Sequence, residues 1–141
     1  MKYLSLLKDI TGDNKIYIVG GALRNYLLNK EVKDIDLVVT SSLTEIIDQF
    51  SALTDKKKIV LDQKRSIYRI VTEENKFIDF TTPVSQDLFV DLGCRDFTIN
   101  SMAVDLKNIG FFDNEILIDY EDIIDPYEGK ADLDNKIIRM V

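Results

Sequence analysis

The chain has 141 residues, of which 45% are hydrophobic, and its formal net charge is −7. This length and composition predict one domain with a hydrophobic core and exclude a disordered or low-complexity chain. The absence of histidine excludes a Ser-His-Asp triad and a histidine-ligated zinc site, and a single cysteine, Cys94, excludes an internal disulfide and an all-thiolate zinc site. Any metal would therefore be held by oxygen ligands, which favours magnesium, manganese or calcium.

Charge and hydropathy also limit the partners. No apolar run reaches the roughly 20 residues of a membrane span, and the N-terminal segment turns polar too early for a signal peptide. We expect a cytoplasmic protein without a membrane partner. An acidic domain is a poor general binder of nucleic acid, so any nucleic acid would be held by a local basic patch, by metal ions or by another domain.

The first half of the chain alternates predicted helices and strands. Leucines at helical spacing predict a helix over 3–10, and the segments 22–29 and 43–53 show the same periodicity. Short apolar runs rich in β-branched and aromatic residues predict strands over 15–21, 34–40, 57–63, 66–73 and 76–82. A turn at 73–75 would join the last two strands into a hairpin.

The second half begins with a predicted helix over 96–106. Ile99, Met102, Ala103 and Leu106 form an apolar stripe at helical spacing, and Asp96 is a candidate N-cap. A short strand is predicted over 115–120, followed by a turn-rich tail. The whole pattern predicts an α+β fold with one mixed sheet and helices largely on one side.

Two aspartates at the start of the 34–40 strand need an explanation. Asp34 and Asp36 point to the same face of a strand, with Cα atoms roughly 6.5–7 Å apart, whereas Ile35 and Leu37 point into the core. Adjacent carboxylates repel each other, and a divalent cation removes that repulsion. The alternative is that Asp34 ends a turn and Asp36 is an exposed strand residue, because such pairs are common.

A glycine pair lies between the first strand and the next helix. Gly20 and Gly21 would let the backbone approach a phosphate, and the free N–H groups of a helix N-terminus attract anions. Arg24 lies in the same segment, near the place that a triphosphate would occupy. The alternative is a simple tight turn beside a solvated arginine.

Three sequence blocks carry a family resemblance. The segment IYIVGGALRNYLLNKEVKDIDLVV resembles the signature of the class II nucleotidyltransferases, which comprise the CCA-adding enzymes and bacterial poly(A) polymerases. CRDFTINSMAVDL resembles the Arg-Arg-Asp-Phe-Thr-x-Asn-Ala motif of this family, and IIDPYEGKADLDNKIIR resembles its third block. The three blocks occur in the family's order over most of the chain.

The resemblance implies a polymerase-beta-like fold, two Mg²⁺ ions, with Mn²⁺ as a possible substitute, and a nucleoside triphosphate substrate. Asp34 and Asp36 match the metal ligands, and Asp79 matches a third carboxylate that helps to activate the attacking 3′-hydroxyl; the alternative for Asp79 is an exposed strand residue. The residues implied in nucleotide binding are Gly20, Gly21, Arg24, Arg95, Asp96 and Asn100. For Asp96 the alternative is a helix cap.

The implied function is metal-dependent transfer of nucleotides from ATP and CTP to the 3′ end of an RNA, most typically tRNA. Residues 1–141 would form the catalytic head, without the helical nucleotide-selecting and tRNA-binding domains that follow it in the family. A poly(A) polymerase head and a non-catalytic nucleotide-binding module are the alternatives, and a calcium-binding structural protein is the weakest reading. The chain departs from the family pattern at Asn25, Cys94 and Glu128, and the loop after Thr82 is short.

Overall fold

The computed structural model describes residues 2–113 and 115–141, apart from the side chain of Glu74. The helices are α1 (Lys2–Ile10), α2 (Gly20–Leu27), α3 (Leu43–Thr54), α4 (Leu88–Gly93) and α5 (Gly129–Asp134). The strands are β1 (Ile16–Val19), β2 (Asp34–Val39), β3 (Lys58–Asp62), β4 (Ile67–Val71), β5 (Phe77–Thr81), β6 (Ala103–Asp105), β7 (Gly110–Phe112), β8 (Glu115–Leu117) and β9 (Ile123–Ile124).

The described strands form a mixed seven-stranded sheet and a separate two-stranded hairpin. The order in the large sheet is β3-β4-β5-β2-β1-β6-β9, and β7 pairs with β8. Within the large sheet, β2 and β5 run parallel, and the other neighbouring strands described pair antiparallel. A crossover through α3 and the β3–β4 hairpin therefore brings β5 beside β2.

Helices α1, α2 and α3 cover one face of the sheet, as predicted. Alternate residues of the central strands, such as Ile18, Leu37 and Phe80, are completely buried against them. The predicted α3 stripe is buried too, with Phe50 at the centre of the core. Among the described helices, α4 packs on the opposite face, where its Leu92 lies beside Val38. No described helix is long and apolar enough to cross a membrane.

The predicted helix over 96–106 is wrong. The segment forms a single 3-10 turn, Thr98–Asn100, and then enters the sheet as β6. Val104 packs with the helical layer, whereas Ala103 packs with α4 on the other face, so successive side chains are buried on opposite sides. Burial on both faces of an inner strand produced an apolar pattern that also fits a helix.

The predicted strand over 115–120 is shorter than expected, because β8 ends at Leu117. Two further differences affect the site. Helix α4 was not predicted; it is short, and Asp87 caps it by accepting hydrogen bonds from the N–H groups of Phe89 and Val90. Helix α2 begins at Gly20, so the glycine pair forms its first turn instead of preceding it. The free N–H groups at this helix start consequently belong to the glycines themselves.

The C-terminal segment is tied to the second motif by a buried aspartate. Asp132 is only 2% exposed; it accepts a hydrogen bond of 2.6 Å from Thr98 Oγ1 and pairs with Arg139 Nη2 at 2.9 Å. The N–H of Thr98 donates to the carbonyl of Arg139 at 3.0 Å. Asp125 caps α5 through the N–H groups of Gly129 and Lys130. These contacts give the third sequence block a structural role in positioning the second.

We predict that Gly129→Ala destabilises the fold. A Cβ at this position would overlap the carbonyl group of Thr98, and the backbone would have to shift. The free energy of unfolding, measured by urea denaturation, should fall by about 1–3 kcal/mol. Gly110→Ala is the matched control, because its added Cβ would lie 3.4 Å from Leu117 Cβ in ordinary contact. Equal losses for both variants would contradict this explanation.

Candidate active site

The predicted carboxylates lie together on the face of the sheet opposite α1–α3. Asp36 is the register partner of Asp79 on β5 and of Val19 on β1. Neighbouring strands lie about 4.8 Å apart, so the two aspartates project side by side. Asp34 precedes them on the same face, opposite Phe77. The structure thus brings all three predicted catalytic residues to one place.

Asp34 and Asp36 have different surroundings. Asp34 is exposed at the start of β2, whereas Asp36 is half-buried. Burial raises the pKa of Asp36, and the nearby charges of Asp79 and Asp34 raise it further, while Arg95 lowers it. Neither Asp34 nor Asp36 forms an ion pair with another described residue. The ionised form of Asp36 is therefore destabilised, because no cation among the described residues pairs with it directly.

Gly20 makes room for two side chains of the site. Its φ of +68° is in the left-handed region that favours glycine. A Cβ there would lie 2.9 Å from Arg95 Nη1 and 3.3 Å from Asp36 Oδ2. The missing side chain lets Arg95 approach Asp36 at the point where β1 passes into α2. Arg95 is held there by Asp91, which accepts hydrogen bonds from its Nη2 at 3.0 Å and its Nε at 3.3 Å.

A chain of hydrogen bonds joins the first and second motifs. Arg24 Nη1 donates to Asn100 Oδ1 at 2.7 Å, and Asn100 Nδ2 donates to Asp96 Oδ1 at 3.0 Å. Asn25 Oδ1 accepts from Arg24 Nη2 at 3.0 Å, so the residue that departs from the family pattern still orients this arginine. Hydrogen bonds from Asn100 and from the N–H of Phe97 lower the pKa of Asp96. Asp96 therefore orients the second motif without capping an α-helix.

Arg69 is a site residue that the sequence interpretation missed. It lies opposite Asp79 on β4 and forms a bidentate ion pair with it, with Nε–Oδ1 and Nη2–Oδ2 distances of 2.7 Å each. The guanidinium also lies over the ring of Phe77, 4.5 Å from its centroid. Side-chain exposures of 32% for Arg69 and 22% for Asp79 make the pair stronger than a fully exposed one. The third carboxylate therefore carries its own counter-charge.

The Arg69–Asp79 pair and the Arg95–Asp91 pair were both absent from the sequence interpretation, but each leaves a signal in the sequence. A hairpin centred on the predicted 73–75 turn places Arg69 directly across from Asp79. Asp91 precedes Arg95 by four residues, which is the spacing of a helical ion pair. The first signal required the turn to be located to the residue, and the second required α4 to be recognised.

The donor set suits a metal that arrives together with other oxygen ligands. The described residues contain no group of three or more carboxylates, cysteines or histidines arranged to hold an ion on their own. Asp34 and Asp36 offer two carboxylates without a direct cation, and the third is engaged by Arg69. A groove of about 690 Å³ lies elsewhere, beside Tyr3, Tyr26 and Ile116, and none of the predicted site residues lines it. The carboxylate cluster is thus the place where the predicted site residues converge.

Comparison with known proteins agrees with this arrangement. Residues 16–139 match the family model described as the poly A polymerase head domain. A CC-adding tRNA nucleotidyltransferase from Shouchella clausii is 34% identical over 123 residues, covering 87% of this chain and 28% of that protein. A CCA-adding enzyme from Staphylococcus epidermidis is 32% identical over 151 residues, covering 96% of this chain and 34% of that protein. The chain spans about a third of the length of these curated relatives.

Solved structures show the same fold. The Thermotoga maritima CCA-adding enzyme complexed with tRNA is 28% identical, with a TM-score of 0.79 over 99% of this chain and 32% of that chain. A tRNA nucleotidyltransferase complexed with a primer tRNA and an incoming ATP analogue is 29% identical, with a TM-score of 0.76 over 94% of this chain and 38% of that chain. These likenesses confirm the predicted polymerase-beta-like fold. With the family model matched over 16–139, the chain belongs to the poly A polymerase head domain family.

Proposed function

We propose that this chain is the catalytic head of a nucleotidyltransferase that adds nucleotides from ATP and CTP to the 3′ end of RNA, with tRNA as the substrate class. The observation that carries the proposal is the convergence of Asp34, Asp36 and Asp79 beside the Gly20 turn and Arg95. The similarity to CC-adding and CCA-adding proteins, including structures solved with tRNA and with an ATP analogue, supports the same reaction class.

Asp34 and Asp36 are the residues that would hold magnesium. Both carboxylates face one side of β2, and the burial of Asp36 makes a cation favourable there. When bound, two Mg²⁺ ions supply charge stabilisation to the attacking and leaving oxygens of an in-line displacement. Because the described residues offer few ligands, triphosphate oxygens would supply further ones.

The triphosphate would lie on the β1 side of Asp36. The N–H groups of Gly20 and Gly21 belong to the first turn of α2, and the start of a helix favours anions. Arg95 reaches the same point across Gly20, and Arg24 is oriented by Asn100 and Asn25. These donors balance the phosphate charge and position the α-phosphorus near Asp36.

Asp79 lies on the other side of Asp36 and would receive the 3′-hydroxyl of the acceptor. Its carboxylate orients the hydroxyl and accepts its proton as the new phosphodiester bond forms and pyrophosphate leaves. Arg69 fixes the position of this carboxylate through its two hydrogen bonds. Most of the rate acceleration would come from this positioning and from charge stabilisation.

One observation favours a second candidate, a nucleotide-binding module without turnover. The Arg69–Asp79 pair occupies the carboxylate that an active site needs for the hydroxyl. Extension of a short RNA by labelled ATP or CTP, assayed alongside nucleotide binding, separates the two functions. Binding without extension would support the module.

We predict that Asp36→Asn weakens Mg²⁺-dependent ATP and CTP binding by about tenfold or more, because one of the two metal carboxylates becomes neutral. Calorimetric titration of each nucleotide, with and without Mg²⁺, measures this. Asp13→Asn, in an exposed turn away from the site, is the matched control and should bind as the wild type does. If the wild-type protein binds neither nucleotide in the presence of Mg²⁺, the proposed function is wrong.

We also predict that Arg69→Met lowers the Mg²⁺ concentration needed for half-maximal ATP binding. Removing the guanidinium leaves Asp79 without its ion-pair partner and adds negative potential beside Asp36. Removing one nearby positive charge from a hydrated site should change the free energy of Mg²⁺ binding by about 1 kcal/mol. This corresponds to about a fivefold change in the Mg²⁺ concentration needed. Arg69→Lys keeps the positive charge and should resemble the wild type. If the Mg²⁺ dependence of Arg69→Met is unchanged, the ion pair is only structural.

A further inference from the structure

One stretch of this acidic chain is strongly basic. Residues 56–65, which lead into β3 and through it to the β3–β4 turn, contain five basic residues and a single acidic one, although the whole chain carries a net charge of −7. Lys64 and Arg65, which form the tip of the turn, are exposed. The side chain of Arg65 is 81% exposed, and its ion pair with Asp62 is long, at 3.9 Å. These two cations are accordingly available to a ligand.

The tip of this hairpin lines a groove next to the candidate active site. The groove has a volume of about 540 Å³, and Lys64 and Arg65 form one wall. Thr81, the last residue of β5 and two residues beyond Asp79, also lines the groove, as does Thr82. Asp91 also lines the groove, and its carboxylate is engaged by Arg95. The groove therefore has a basic rim, and Asp91 connects it to Arg95 of the candidate active site.

The register of the sheet aligns residues of β3, β4 and β5 with Asp36 on β2. A row of register partners crosses the sheet from its edge inward, in the order Ile59, Arg69, Asp79, Asp36 and Val19. Ile59 is 43% exposed on the edge strand. Apolar and guanidinium surfaces of this kind can contact bases, whereas the Lys64–Arg65 rim suits phosphates.

The geometry of the reaction requires an approach from this side. In phosphoryl transfer the attacking and leaving oxygens lie on opposite sides of the phosphorus. Gly20 and Arg95, the proposed hydrogen-bond donors to the triphosphate, lie on the β1 side of Asp36. The acceptor RNA must therefore approach over β5, β4 and β3. An RNA strand with its 3′-hydroxyl at Asp79 would place its preceding phosphates near the groove.

We infer that the β3–β4 hairpin and its groove form the binding surface for the 3′-terminal nucleotides of the acceptor RNA. Lys64 and Arg65 hold backbone phosphates, and Ile59 with Arg69 contacts the terminal bases. This inference rests on the proposed function for the direction of approach. The charge and the groove belong to the fold itself, so RNA binding can be measured without nucleotide.

The test compares two double variants of equal charge. Lys64→Gln with Arg65→Gln removes the rim, and Lys2→Gln with Lys107→Gln removes two exposed lysines of α1 and of the loop after β6. A short fluorescent single-stranded RNA with a free 3′-hydroxyl is titrated by anisotropy over a series of salt concentrations. Two lost phosphate contacts should reduce the slope of log K against log salt by about 1.4, at about 0.7 per contact for single strands.

The rim variant should lose roughly tenfold in RNA affinity at low salt, whereas the control variant should bind as the wild type does. Equal slopes for the rim variant and the wild type, or no RNA binding by the wild type at low salt, would overturn the inference. Mg²⁺-dependent ATP binding, measured on the same proteins, should be unchanged in the rim variant. Its absence in the wild type would instead count against the proposed function.

Discussion

The site depends on the register of β2 between β1 and β5. Leu37 and Val39 are completely buried against the helical layer, and this burial fixes which face the alternate residues Asp34 and Asp36 occupy. A slip by one residue would drive both carboxylates into the core and expose the aliphatic side chains. The packing of the hydrophobic core therefore determines where Asp34 and Asp36 lie. Asp79 lies beside Asp36 because β5 pairs in parallel with β2.

The second half of the chain holds the remaining donors in place. Asp132 is buried between Thr98 and Arg139, and the 3-10 turn that follows Thr98 presents Asn100 to Arg24. A segment that contributes no side chain to the site thus fixes the motif that does. Short irregular segments need hydrogen bonds and ion pairs to other segments, because they form few backbone hydrogen bonds of their own.

The charged side chains of the candidate site fall into two groups, one on each side of Asp36. On the β1 side, Arg95 approaches Asp36 across a glycine, and Arg24 is held by neutral amides. On the β5 side, Arg69 neutralises Asp79, and the hairpin beyond it carries most of its charge as lysine and arginine. The centre is left with two carboxylates and a raised pKa at Asp36. Such a distribution suits an anionic substrate on each side of a metal-dependent centre.

The sequence by itself determined the α+β class, the strands of the first half and the common face of Asp34 and Asp36, since alternation and helical periodicity are local properties. The family was indicated separately, by the resemblance of three sequence blocks to its motifs. The site roles remain predictions, as does the cytoplasmic location. Only the tertiary structure decided that 96–106 enters the sheet, because burial on both faces of a strand removes the alternation that identifies it. It also decided that Arg69 meets Asp79, because the partner of a residue in a hairpin is set by the register of the turn.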